Sequence, residues 1–147
     1  MKILLALDDG PRLVDEALRL ARERGATLNA LFVVDATWER FTGHDWLSGC
    51  NARIGFLDYM LTLEEKAAAD AAAAYLARAE GAPGELLTVT GDVVDEILKE
   101  AANGYDLLIM SNPFTRGLEF VRDAVAKVVS KCPCDVLLVA ARDCARR

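Results

Sequence analysis

The chain has little from which a metal centre, a disulfide framework or a nucleophilic triad could be built. In 147 residues it contains one histidine, His44, and four cysteines, Cys50, Cys132, Cys134 and Cys144. A closed zinc site wants four nitrogen or sulfur ligands, and Cys132-Pro133-Cys134 has no second pair to close on. No metal is expected, and the cysteines read as free thiols of a reducing compartment, small enough to be buried. No Ser/His/Asp or Cys/His set lies where one topology would unite it, and a nucleophile needs such a partner. His44 reads as a loop residue, and an enzymatic role is not expected.

Positive charge is also scarce. Lys plus Arg is 17 against 23 for Asp plus Glu, a net charge of -6. That leaves no basic field to hold a phosphate backbone, so nucleic acid is not expected as a partner. No apolar run approaches the ~20 residues that span a bilayer, which sets the membrane aside. The opening run Met1 to Leu7 turns acidic at Asp8-Asp9, too early for a secretory signal, and no small-residue cleavage site follows. The expected location is the cytoplasm.

The abundant component is apolar: 53% of residues are hydrophobic. A chain of this length buries roughly two-thirds of its unfolded surface and needs no cross-link to fold. Residues 2–8 form a near-continuous apolar run, as in a strand covered on both faces. Asp9 can cap the following helix, and Pro11 suits its first turn. Val14, Ala17, Leu18 and Ala21 recur at helical spacing, and Gly25 sits where a helix-ending glycine belongs. Leu28 to Val34 reads as a second strand, closed by Asp35.

Residues 36–62 hold Trp38, Trp46, His44, Gly43, Gly49, Gly55 and Cys50, with no clean period before Ile54. They read as a long variable loop that is mobile or forms a lid, where a small-molecule or protein ligand would bind. Leu63 to Glu80 is an alanine-rich helix, stopped by Gly81-Ala82-Pro83-Gly84. Leu86 to Thr90 is a third strand. Val93, Val94, Ile97, Leu98 and Ala101 form the stripe of a helix that follows Gly91-Asp92. Leu107 to Met110 is a fourth strand, and Ser111 to Gly117 reads as a loop. Phe120, Ala124, Val128 and Val129 mark a last helix, stopped by Pro133. Val136 to Val139 is the fifth strand.

Strand and helix alternate throughout, which indicates one doubly wound α/β domain, a parallel sheet with helices on both faces. The domain spans residues 1–141, and 142–147 is a short basic tail. Ligands of such sheets sit beyond the carboxyl ends of the strands, where strand order reverses. The first strand ends in Asp8-Asp9 and the fourth in Met110-Ser111-Asn112. With strand order 3-2-1-4-5 these ends flank the reversal. Asp8 has two readings here: it accepts hydrogen bonds from a ribose or base, or holds magnesium; or it caps the next helix. Asp9, Asp35 and Asp92 read as turn and cap residues.

Taken in order, several segments resemble the universal stress protein family. They are Lys2-Ile3-Leu4-Leu5-Ala6-Leu7-Asp8, the run Ala26 to Asp35, Gly91-Asp92-Val93-Val94-Asp95-Glu96-Ile97, Tyr105 to Met110, and Cys132-Pro133-Cys134-Asp135-Val136-Leu137-Leu138-Val139. The resemblance implies a five-stranded parallel sheet in the order 3-2-1-4-5, homodimers formed through the last strand, and a role in stress tolerance. It also implies that some members bind ATP and others do not. In the binders the acidic residue ending the first strand, here Asp8, lies near the nucleotide. Backbone groups at the end of the second strand, here Val33 and Val34, meet the adenine. The phosphates lie on a loop of form G-x2-G-x9-G-(S/T) that follows the fourth strand, here the end at Met110, Ser111 and Asn112.

That loop is where this sequence departs. Ser111 stands for the first glycine, Phe114 for the second, and Arg122-Asp123 for the closing Gly-Ser pair. Glycines let a backbone approach phosphate closely. Pro113 removes an N–H, Phe114 adds bulk and Asp123 adds negative charge, while Gly117 alone is no cradle. Arg116 and Arg122 read as solvated. The expectation is weak or absent ATP binding and no cofactor, with ATP or AMP in the cleft beside Asp8, bound or hydrolysed, as the alternative. A phosphoacceptor receiver domain would need an aspartate ending the third strand and a lysine ending the fifth, and Thr90-Gly91 and Ala140-Ala141 stand there instead. The apolar last strand has no charge or proline to blunt its edge. Val136, Leu137, Leu138 and Val139 are therefore the expected dimer interface, with Leu138 or Val139 near the axis.

Overall fold

Ile3, Leu4 and Leu5 are fully buried at successive positions. Neighbouring strand residues point to opposite faces, so this strand must be covered on both sides. It is the centre of the sheet. The computed structural model describes residues 1–8, 10–36, 50–112, 114 and 124–140. The strands are β1 (Lys2–Ala6), β2 (Thr27–Asp35), β3 (Leu86–Gly91), β4 (Leu107–Asn112) and β5 (Asp135–Ala140). The helices are α1 (Pro11–Arg24), α2 (Cys50–Arg78), α3 (Val93–Ala101) and α4 (Ala124–Lys131). All strand pairs are parallel, in the order β3-β2-β1-β4-β5.

The sheet separates two apolar layers. On one face Ile3, Leu5 and Phe32 pack against Leu13, Val14, Ala17 and Leu18 of α1 and Tyr75 of α2. On the other, Leu4, Leu31, Val33 and Met110 pack against Val93 and Ile97 of α3 and Val128 of α4. Burying Leu13, Val14 and Leu18 stabilises α1 by roughly 1.5–3 kcal/mol each. α1 ends at Gly25, whose left-handed φ of 60° turns its N–H back to the Arg22 and Ala21 carbonyls. Gly84 is required by space: a Cβ there would lie 1.7 Å from the Leu28 carbonyl oxygen. Asp92 caps α3 as its spacing suggests, accepting the Asp95 N–H at 3.1 Å.

Several expectations need correction. Residues 50–62 are not loop but the first half of a 29-residue helix, α2. The reason is exposure: Tyr59, Leu61, Leu63 and Leu76 all face solvent, so no one-sided apolar stripe marks this helix. The cap of α1 is Gly10, with no side-chain cap bond of its own. β4 runs on through Ser111 and Asn112, which pair with Val139 and Ala140; sheet pairing there overrides the turn preference of Ser and Asn. Val129 is 49% exposed and no core residue. Asp9, residues 37–49 with Trp38, His44 and Trp46, Pro113, residues 115–123, Cys144 and the tail lie outside the described residues. No helix among the described residues is long and apolar enough to cross a membrane.

Candidate functional site

The order reverses beside β1, with β2 on one side and β4 on the other. The chain leaves β1 through Leu7, whose N–H still reaches the Leu31 carbonyl at 2.9 Å. Asp8 follows and is 7% exposed. Its Oδ1 accepts the Gly10 N–H at 2.9 Å. Its Oδ2 accepts the hydroxyl of Ser111, itself buried at the end of β4. Each oxygen of the carboxylate thus has a donor from the chain. Asp8 ties the end of β1 to the start of α1 and to β4.

The other anticipated site residues lie at the ends of β2 and β4, where only their backbone or an exposed side chain faces the rim. Val33 and Val34 are buried on opposite faces of β2, and their side chains belong to the two core layers. Met110 is fully buried in the layer under α3 and α4. Asn112 is exposed at the rim. Asp8 and Ser111 therefore meet, Asn112 stands beside them on β4, and Val33, Val34 and Met110 contribute no side chain to the crevice. Phe114 is 3% exposed and packs in the α3/α4 layer. Where the resemblance implies a phosphate-loop glycine, an aromatic ring is anchored in the core.

At the neighbouring strand end Asp35, read from sequence as a turn or cap residue, meets Glu64, which escapes sequence reasoning. Asp35 and Glu64 are 3% and 5% exposed, and the Asp35 N–H donates to Glu64 Oε2 at 3.1 Å. This bond fixes α2 over the end of β2. A glutamate in an alanine-rich helix reads as solvated, so only the tertiary packing could reveal it. Among the described residues no cluster of three His, Cys, Asp or Glu stands ready to hold a metal ion.

A cavity of about 360 Å³ opens beside Asp8, between the start of α1 and the face of α2. Pro11 and Val14 form one wall, Ala71 and Tyr75 the other. Its charged lining is Asp8, Asp70 and Arg78. Arg78 is ion-paired with Asp15. Two carboxylates and one paired guanidinium make a poor setting for a polyphosphate. At the same rim Arg12 of α1 donates to the Ala140 carbonyl at 2.7 Å, holding the end of β5.

The sequence profile of the Universal stress protein family matches residues 1–140. The chain belongs to the universal stress protein family. Solved structures agree on the fold. UspA of Lactobacillus plantarum superposes with a TM-score of 0.71 at 22% identity, covering 95% of this chain and 97% of its own. A universal stress protein family member from Burkholderia pseudomallei is 25% identical, with a TM-score of 0.56 and 94% of each chain covered. A universal stress protein solved in complex with cAMP is 18% identical, with a TM-score of 0.57, covering 97% of this chain and 98% of its own. No curated protein sequence matches significantly. In this universal stress protein Asp8 and Ser111 meet at the switch point of the sheet, beside the cavity.

Proposed function

We propose that this universal stress protein is a cytoplasmic homodimer with a stress-response or regulatory role and weak or no affinity for ATP. The observation that carries the reading is the use of Asp8: Gly10 and Ser111 occupy both its oxygens. A nucleotide hydroxyl or base would have to share a buried carboxylate that two donors of the chain already engage. Burial of Phe114 and the acidic lining of the cavity act in the same direction. Calorimetric titration with Mg-ATP should show nothing tighter than the high-micromolar range, about -5 to -6 kcal/mol. A low-micromolar constant would refute the reading.

The dimer part of the reading rests on β5. It is an edge strand, paired with β4 alone, and Leu137 and Leu138 are 40% and 38% exposed on it. A second copy pairing antiparallel along the same strand would cover both in one two-fold contact. Val139 is 8% exposed within its own subunit, so Leu138 is the residue we assign nearest the axis. Light scattering at tens of micromolar should give a dimer, and a monomer would overturn this part.

A second reading is favoured by the cavity, whose volume falls within the usual range for small-ligand sites, and by the cAMP found in one relative. In that reading AMP or a cyclic nucleotide lies beside Asp8 without a phosphate loop. A thermal shift with AMP or cAMP that disappears in Asp8→Ala would support it. Hydrolysis is disfavoured, since the carboxylate that Asp8 presents to the cavity is already engaged by Gly10 and Ser111.

A further inference from the structure

A dithiol stands at the junction of α4 and β5, away from the crevice. Cys132 and Cys134 are free, half-buried, and their Sγ atoms lie 3.5 Å apart. The fold holds both. The Cys132 N–H closes the last turn of α4 on the Val128 carbonyl at 2.8 Å, and β5 begins at Asp135, directly after Cys134. Both side chains pack against the α3/α4 layer. Pro133 between them locks a backbone torsion. The sulfurs are therefore kept in contact by two regular elements, within about 1.5 Å of the ~2.05 Å of a disulfide bond.

We infer that Cys132 and Cys134 are a modification site, closing to a reversible intramolecular disulfide when the protein meets a peroxide. In the first step the Cys132 sulfur attacks one peroxide oxygen. The O–O bond breaks, leaving Cys132 as a sulfenic acid and releasing one water. In the second step the Cys134 sulfur attacks the sulfenic sulfur. The S–S bond forms, the S–O bond breaks, and the hydroxyl leaves with the Cys134 proton as a second water. Two thiols give up two electrons and two protons, and one hydrogen peroxide becomes two waters.

The roles of the two sulfurs follow from their surroundings. Burial, helped by the hydrogen bond with Cys132, pushes the Cys134 thiol up to about 12. Cys134 keeps its proton at neutral pH and is the poorer nucleophile, which leaves Cys132 to meet the oxidant first. A resolving thiol already in contact traps the sulfenic acid before a second peroxide can carry it to the irreversible sulfinic acid.

The sequence supplies a clean readout. Trypsin cuts after Lys131 and Arg142, so residues 132–142 leave as one peptide with Cys132 and Cys134 and no other cysteine. The full chain is treated with hydrogen peroxide, alkylated with iodoacetamide, digested and weighed. The expected peptide is unalkylated and lighter by two hydrogens, and dithiothreitol before alkylation returns it to the doubly alkylated form. A doubly alkylated peptide after peroxide, a sulfinic or sulfonic product, or a cross-link to Cys50 or Cys144 would each overturn the inference. In Cys134→Ser, dimedone should capture the Cys132 sulfenic acid, and an unlabelled Cys132 would overturn the order of steps.

Discussion

Replacing Asp8 by alanine separates a structural carboxylate from a ligand-binding one. In the folded chain Asp8 accepts from the Gly10 amide and from the Ser111 hydroxyl, and both Asp8 and Ser111 are nearly inaccessible to water. Removing the acceptor strands two donors, each at about 1–3 kcal/mol. The buried carboxylate no longer has to be desolvated, which returns part of that cost. The expected net loss is about 2–4 kcal/mol. For a chain of this length one kcal/mol moves the melting temperature by about 3 °C, so the midpoint should fall by roughly 6–12 °C. Differential scanning calorimetry of Asp8→Ala, Ser111→Ala and the double variant closes a cycle, whose coupling should reach at least about 1 kcal/mol. An unchanged or raised midpoint in Asp8→Ala would refute the reasoning, because residues placed for ligands rather than for folding are removed at little or no cost in stability.

Other consequences are as direct. Phe114→Ala should lower stability by about 3–5 kcal/mol in urea melts, since its ring fills the α3/α4 layer; a loss below about 1 kcal/mol would mean the ring is not anchored there. Asn29→Ala should cost about 1–3 kcal/mol by depriving the Glu85 N–H of its acceptor and the Tyr105 hydroxyl of its donor; a neutral result in the same assay would contradict that network. Leu138→Lys should give monomer or aggregate by light scattering, because a lysine near the axis opposes its own copy; an intact dimer would move the interface off β5. Burial holds Tyr75 and Tyr105 above the ordinary tyrosine value of 10.0. The unfolded chain then loses these protons first, so stability is intact below pH 10 and falls as pH rises through the raised values. The urea midpoint should drop as pH is raised above 10, less steeply in Tyr75→Phe, and a flat profile there would contradict the shift.

The sheet was legible because its strands announce themselves. Residues 3–7 are apolar without interruption and 28–34 are broken only by Asn29, a pattern expected of strands covered on both faces, and Gly25 and Asp92 mark helix ends by local chemistry. The first half of α2 was not legible, since Tyr59, Leu61 and Leu63 stay exposed and leave no stripe to read. The candidate site was legible as a place and not as an arrangement. Sequence leaves Asp8 open between ligand and cap, and what settles its partners is Ser111, 103 residues away. Contacts of that range have no local signature. The burial of Glu64 and Asp35 is hidden for the same reason.

Native mass spectrometry of freshly purified protein tests the central claim most directly, because it reads assembly and bound ligand together. The account expects a species at twice 16.0 kDa carrying no added nucleotide mass. A monomer, or a dimer that retains ATP or AMP through gentle desolvation, would contradict it.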